Sequence, residues 1–312
     1  MLAIVNTPNG TAPVDIREVA DPEPARDEAL VAIRAFSLNR GELRLFETRP
    51  EGWRPGQDVA GVVLRQAADG SGPAAGTRVV ALTDQAGWAQ RAAVPSRRMA
   101  ALPDNVEFAA AAALPVAGLT ALRTLRHGAP LLGKRVLVTG AAGGVGNLAV
   151  QLATRSGARV TAIVGNAERA GVLDGLGAAE VVTGIEQAQG RFGLILEAVG
   201  GASLQAAIGH IEERGTIVIF GNSSGEPAAI NFRDFAEHQN ARIQSFFYFT
   251  CEPEERFAPD LALLVGLVAD GSVRPRVTIQ NWREISAVGP QLRGRQIPGK
   301  AVFQIDPEMS GG

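Results

Sequence analysis

Along the first 115 or so residues, apolar positions fall in short runs broken by glycine and proline. The runs at 29–35, 59–65, 78–82 and 90–94 have strand length and are rich in valine and alanine. Turn chemistry such as Asp69-Gly70-Ser71-Gly72-Pro73 separates them. This predicts a rolled or barrel-like antiparallel domain. From about Leu119 the rhythm changes to strand–helix–strand. Strands are expected at 135–139, 159–164, 181–183, 192–199, 216–220 and 243–249. Helical spacing lies between them at 145–156, 168–176, 203–211 and 232–240. Six strands alternating with helices predict an α/β fold, a doubly wound parallel sheet covered on both faces.

A helix-like stretch at 259–269 and short strands at 277–279 and 301–305 return to the style of the first region. The first domain is therefore expected to be discontinuous. The expected boundaries are residues 1–117 and 253–312 for it, and 118–252 for the α/β domain.

Composition narrows the function classes. A chain of 312 residues fits two cores, and 46% hydrophobic with 20% charged residues is a globular balance. A net charge of −2 offers no basic field for nucleic acid or an anionic membrane, so neither is expected as a partner. The apolar stretch 110–122 is short and holds a proline, and the N-terminus has no leader pattern, so a cytoplasmic location is expected. The single cysteine, Cys251, has no neighbouring base and reads as structural.

The 37 glycines matter where they cluster. Val136-Leu-Val-Thr-Gly140-Ala-Ala142-Gly143-Gly144-Val145-Gly146 runs from a strand through a glycine-rich turn into a helix. Such a turn brings backbone close to a pyrophosphate, and the new helix aims free N–H groups at it. The following strand at 159–164 supplies the context the motif needs. That strand leads into Gly165-Asn166 with no acid to hold a ribose, and Arg169 follows. A missing carboxylate and a nearby guanidinium suit a 2′-phosphate, hence NADPH rather than NADH, with Asn166 as a second donor. The plainer reading of Arg169 is a solvated helix residue.

These segments resemble the medium-chain dehydrogenase/reductase superfamily, in its zinc-free quinone oxidoreductase branch. The likeness is carried by AAAALPVAGLTAL at 110–122 and VLVTGAAGGVGNLAVQ at 136–151, with LVAIRAFSLNRGELRL at 30–45, PGQDVAGVV at 55–63 and Gly299-Lys300-Ala301-Val302. It implies a Rossmann domain beside a discontinuous GroES-like catalytic domain. Zinc enzymes of the superfamily carry Cys where this chain has Asn39, Gly-His-Glu where it has Gly56-Gln57-Asp58, and a four-cysteine lobe absent here. Asn and Gln are poor zinc ligands, so no zinc is expected. The branch's NADPH enzymes often carry a Lys near Arg169, whose place the Arg can take, and a Tyr near Gly184, which has no counterpart here.

The resemblance places Asn39 and Arg40 beside nicotinamide and substrate, in the cleft between the domains. Asn39 is expected either to hydrogen-bond a ribose or substrate carbonyl or simply to cap the turn before Gly41. Asp58 is expected to brace the site by pairing with Arg40 or Arg44. Thr120 is placed near the nicotinamide, or else caps a helix. Phe220-Gly221-Asn222-Ser223, at the end of a strand, should line the cofactor groove or form a plain turn. Tyr248, the only tyrosine, is a candidate proton donor, with core or dimer interface as the alternative. Phe46, Trp53 and Trp88 are candidate substrate walls or packing. The expected function is zinc-independent, NADPH-dependent reduction of a small quinone or α,β-unsaturated carbonyl, by a homodimer formed through the Rossmann edge strand at 243–249. The rivals are an enoyl-thioester reductase, served by Arg40, Arg44, Arg49 and Arg54, and a non-catalytic NADPH-binding sensor or structural protein.

Overall fold

A computed structural model describes residues 1–249 and 256–305; Cys251 lies outside the described residues. The chain divides into two compact units, Met1–Leu119 with Pro253–Gly312, and Thr120–Glu252. Each is described by itself. Among the described residues, no helix is long and apolar enough to cross a membrane.

In the first unit β1 (Leu2–Asn6) and β2 (Val14–Glu18) form an antiparallel pair. The main sheet is built on β3 (Glu28–Leu38), an eleven-residue strand rich in β-branched and aliphatic residues. One edge of β3 pairs with β4 (Asp58–Arg65), and the other pairs in turn with β6 (Arg91–Pro95) and β15 (Lys300–Gln304). Register shifts between Leu30 and Val31 and between Ile33 and Ala35 bend the strand so that it can serve three partners. β5 (Arg78–Leu82) and β7 (Met99–Ala101) continue the sheet from β4, and β14 (Val277–Asn281) pairs parallel with β15. The other pairings are antiparallel. The core is aromatic: Phe36 stacks on Trp88 at 5.3 Å and on Phe303 at 5.1 Å. On this frame sit α1 (Glu42–Thr48), α2 (Phe108–Ala112), α6 (Phe257–Ala269) and α7 (Ile285–Arg293). α3 (Pro115–Arg126) carries the chain into the second unit.

The second unit is a parallel sheet of β8 (Arg135–Val138), β9 (Arg159–Ile163), β10 (Glu180–Val182), β11 (Phe192–Glu197), β12 (Ile211–Ile219) and β13 (Arg242–Ser245). Their order is β10-β9-β8-β11-β12-β13. Every residue of β11 is buried, which is the pattern of a strand covered on both faces. α4 (Gly144–Arg155) packs on β8 and β9, and α5 (Gly201–Gly209) on β11 and β12. The chain leaves β8 toward β9 and returns on the opposite side at β11, so the switch point of the doubly wound sheet lies between those two strands.

Two expected helices are not α-helical. The segment expected at 168–176 is a 3₁₀ turn, Ala167–Leu173, in which only Leu173 is buried. The segment expected at 232–240 is a 3₁₀ turn, Phe232–Phe235, with Phe232 92% exposed. Neither buries the apolar stripe that tertiary packing needs to hold a short helix. The strand expected at 243–249 ends at Ser245, because its ladder partner β12 ends at Ile219.

Candidate active site

At the switch point the chain leaves β8 through Thr139 and turns at Gly140, whose φ of +60° suits glycine. Gly146, on the first turn of α4, lies against that turn. A Cβ there would collide with the Gly140 carbonyl and stand 2.6 Å from Ala141 Cα. Glycine is what lets the helix start close to the strand. Gly143 is the N-cap and contributes no side-chain cap, so the first-turn N–H groups of α4 stay available. Asn147, 1% exposed, donates to the carbonyls of Gly143 and Gly144 at 2.7 and 3.0 Å and holds the turn in place. The arrangement suits a pyrophosphate: open N–H donors, a positive helix end and no side chain in the way.

On the far side of the switch point Glu197 ends β11, fully buried and fully bonded. Its carboxylate accepts from Val199 N–H (3.1 and 3.2 Å), Gly200 N–H (2.9 Å), Ser203 Oγ (2.9 Å) and Thr139 Oγ1 (3.1 Å). Segment 220–224 is laced to the same turn: Phe220 N–H donates to the Glu197 carbonyl, Ser223 N–H to Ala198 and Ser224 N–H to Val199. Phe220, Gly221, Asn222 and Ser223 thus follow β12 at the carboxyl edge of the sheet, where ligands bind in this architecture. Glu197 escaped the sequence reading, though a charged residue closing the apolar run FGLILE was a signal.

Beyond β9, Asn166 caps the 3₁₀ turn, its Oδ1 accepting from Arg169 N–H at 3.1 Å. Asn166 is exposed and Arg169 half-buried. Thr120 lies inside α3, buried, and its carbonyl accepts from Thr124 Oγ1. It is therefore no helix cap.

In the first unit, Asn39 stands at the end of β3 within a buried polar cluster. Its Nδ2 donates to Asp58 Oδ2 at 2.9 Å and to Glu42 Oε2 at 3.1 Å; its Oδ1 accepts from Lys300 Nζ. Lys300 Nζ also lies 3.0 Å from Asp58 Oδ2. Asp58 further accepts from Ser37 Oγ at 2.6 Å and Val116 N–H at 2.8 Å. The expected partners of Asp58, Arg40 and Arg44, are thus replaced by Lys300. Arg40 is exposed and donates to the carbonyls of Leu292 and Arg293. Lys134 and Lys300 are the chain's only lysines, and the compact ammonium of Lys300 donates to Asn39 Oδ1 while lying beside Asp58 Oδ2. The cluster also decides what Asn39 can do. Both N–H bonds of its amide are spent on the side-chain oxygens of Asp58 and Glu42, so it has none for a substrate carbonyl; one Oδ1 lone pair remains as acceptor. Glu42 was missed too, although N-x-x-E is a capping-box pattern and Asn39 N–H does donate to Glu42 Oε2 at 2.9 Å.

The aromatic candidates separate. Phe46 (4% exposed) and Trp88 (0%) belong to the hydrophobic core, edge to face at 6.1 Å. Trp53 is only partly buried, with Nε1 donating to Gln85 and Arg49 over its ring. Next to it Arg54 is half-buried, and its Nε and Nη2 have no acceptor. Burial holds its guanidinium below the ordinary value. Tyr248 lies in a turn beyond β13, its ring 5.2 Å from Phe249. Phe247 and Phe249 are mostly exposed.

The chain is similar to several known proteins. Residues 144–266 match the family model for zinc-binding dehydrogenases, a stretch that excludes Asn39 and Gln57. The chain is 38% identical over 189 residues to the chloroplastic quinone-oxidoreductase homolog of Spinacia oleracea, covering 55% of this chain and 57% of that one. The chain thus spans little more than half the length of that curated relative. It is 32% identical over 293 residues to the spectinabilin polyketide synthase system protein NorB of Streptomyces orinoci, covering 91% of this chain and 13% of that one. In fold it is similar to the Escherichia coli quinone oxidoreductase complexed with NADPH, with a TM-score of 0.87, 22% identity and coverage of 98% and 100%. The chain is thus similar to the zinc-binding dehydrogenase family over residues 144–266, and to quinone oxidoreductases in sequence over part of its length and in fold over nearly all of it.

Proposed function

We propose that this chain is an NADPH-dependent, zinc-independent reductase of quinones or α,β-unsaturated carbonyls. The observation that carries it is the cradle, where glycine packing and an uncapped helix N-terminus meet at the switch point of a parallel sheet. Bound there, the nicotinamide supplies a hydride for an electron-poor carbon of the acceptor. The chain's own contribution is binding and orientation. Gly140, Ala142, Gly143, Gly144, Val145 and Gly146 hold the pyrophosphate. The Nδ2 of Asn166 and the guanidinium of Arg169 take the 2′-phosphate. Residues 220–223 line the groove and Thr120 lies near the nicotinamide. Asn39 accepts from a ribose hydroxyl through the lone pair that Lys300 leaves open. Trp53 walls the acceptor site, and water or Tyr248 delivers the proton. The assembly is a homodimer through the edge strand β13.

The donor chemistry around Asn39 supports zinc independence. A metal there would find no thiolate or imidazole, and beside the amide oxygen of Asn39 and the carboxyl groups of Asp58 and Glu42 it would meet the Lys300 ammonium, which already takes Asn39 Oδ1 and Asp58 Oδ2. The test is a panel of acceptors assayed with NADPH, beside secondary alcohols assayed with NADP⁺. Reduction of quinones or enones, undiminished by a chelator, is expected. Turnover of secondary alcohols alone would falsify the proposal. For the cofactor, Arg169→Ala should weaken NADPH binding about ten-fold or more and leave NADH unchanged.

Arg54 favours a second reading, enoyl-thioester reduction. A half-buried guanidinium with donors to spare suits an anionic group on the acceptor, and NorB belongs to a polyketide synthase system. An enoyl thioester of coenzyme A in the same panel separates the two: this reading needs it to be reduced faster than any quinone.

A further inference from the structure

Two buried carboxylates and one buried ammonium share the space around Asn39. Asp58 comes from β4, Glu42 from α1 and Lys300 from β15; they are 0%, 1% and 5% exposed. The α2 helix packs on β3, β4 and β15 and, as FAAAA, brings no titratable group. α7 lies against Leu43 through Gly289, and its Arg293 pairs with Glu47 rather than Glu42. Two carboxylates against one ammonium would leave an uncompensated negative charge in a dry interior, so one of the acids must hold a proton.

The hydrogen bonds say which. Both oxygens of Asp58 have donors, from Ser37, Asn39 and Lys300 on Oδ2 and from the Val116 N–H on Oδ1. That is the environment of a carboxylate. Glu42 is lopsided: Oε2 accepts twice from Asn39, while Oε1 is buried with no partner. An ionised carboxylate spreads its charge over both oxygens, and a dry, undonated Oε1 is costly. A neutral acid with its proton on Oε1 and its carbonyl on Oε2 leaves one O–H without an acceptor but no charge on a dry oxygen, which is the smaller cost.

We propose that Glu42 holds a proton on Oε1 at neutral pH, that this neutral acid is the positioning residue for the Asn39 amide, and that its ionisation in alkaline solution leaves an uncompensated negative charge beside Asn39 and lowers turnover. Burial pushes the Glu42 carboxyl up to about 8, the charge of Asp58 adding to the effect while Asn39 and Lys300 oppose it. Where the proton sits stands on geometry alone; only the consequence for turnover rests on the function proposed above. Because the fold favours the neutral acid, the stability that Glu42 contributes is full below 4.5. It declines as the pH rises from there and levels off above about 8.

The decisive experiment is infrared spectroscopy of the full chain and of Glu42→Gln. The wild type should show a carboxylic-acid C=O band at neutral pH that disappears through about pH 8 and is missing from E42Q. Steady-state activity of the wild type should fall about ten-fold per pH unit above about 8, and E42Q should lack that limb. If E42Q does not fold, the wild-type band and the pH dependence of its unfolding midpoint still decide the matter. No acid band in the wild type at neutral pH would overturn the proposal. So would a band that persists in E42Q, which would move the proton to Asp58, or an alkaline limb unchanged in E42Q. Failure to reduce any quinone or enone would instead sink the proposed function and leave the infrared result standing.

Discussion

Thr139 and Glu197 tie together the two strands that flank the switch point. Thr139 Oγ1 donates to Glu197 Oε1 at 3.1 Å and accepts from the Ala198 N–H at 2.8 Å. β8 and β11 are thereby fixed to each other where their carboxyl ends open onto the cradle. The carboxylate also holds the turn against which segment 220–224 is laced.

Replacing this carboxylate should loosen both walls of the groove at once. Glu197→Gln faces its amide NH₂ toward groups that are themselves donors, leaving buried N–H groups short of acceptors. The expected cost is about 2–3 kcal/mol, read from urea unfolding. NADPH affinity should drop with it, measured by fluorescence titration at a temperature where the variant is folded. An unchanged affinity in a destabilised variant would mean that Glu197 serves the fold and not the groove.

Gly146→Ala tests the close start of α4. Its methyl group would sit on the Gly140–Ala141 backbone, where no flexible side chain can give way. α4 must shift outward, at about 1–3 kcal/mol. The expected result is a loss of dinucleotide binding larger than any loss in an unrelated ligand-free property such as the far-ultraviolet spectrum.

The Lys300–Asp58 pair calls for a single and a double substitution. Lys300→Met leaves Asp58 as a buried charge without its cation and should cost about 3–5 kcal/mol. Adding Asp58→Asn removes that charge, and the double variant should recover part of the loss. A double variant no more stable than the single one would show that the pair is not the source of the penalty.

A stabilising change is available away from both sites. Gly266 lies exposed in the interior of α6, and a Cβ there meets nothing within 4 Å. Gly266→Ala should raise stability by about 0.5–1 kcal/mol through the lower entropy of the unfolded chain. Calorimetry checks it, and no change in kinetic constants is expected.

The parallel sheet, its six strands and the cradle were legible in the residues because their signals are local. Periodicity and a glycine turn between strand and helix are properties of neighbouring positions. The family resemblance set Asn39 and Asp58 at positions where zinc enzymes of that superfamily carry other residues, and the single cysteine excluded a cysteine-rich site. What it did not reveal is which charges meet. Lys300 reaches Asn39 and Asp58 only because β15 pairs with β3 and β3 with β4, bringing residues from the two ends of the chain together. The choice of Lys300 over Arg40 or Arg44, the double duty of the Asn39 amide and the dry oxygen of Glu42 all follow from that pairing. The two failed helices belong here as well, since a short amphipathic segment becomes a helix only when tertiary structure covers one side of it. Residue order set the elements and the phosphate cradle, whose interactions run along the chain. Tertiary structure decided the polar cluster, whose interactions run across it and depend on burial that no local pattern records.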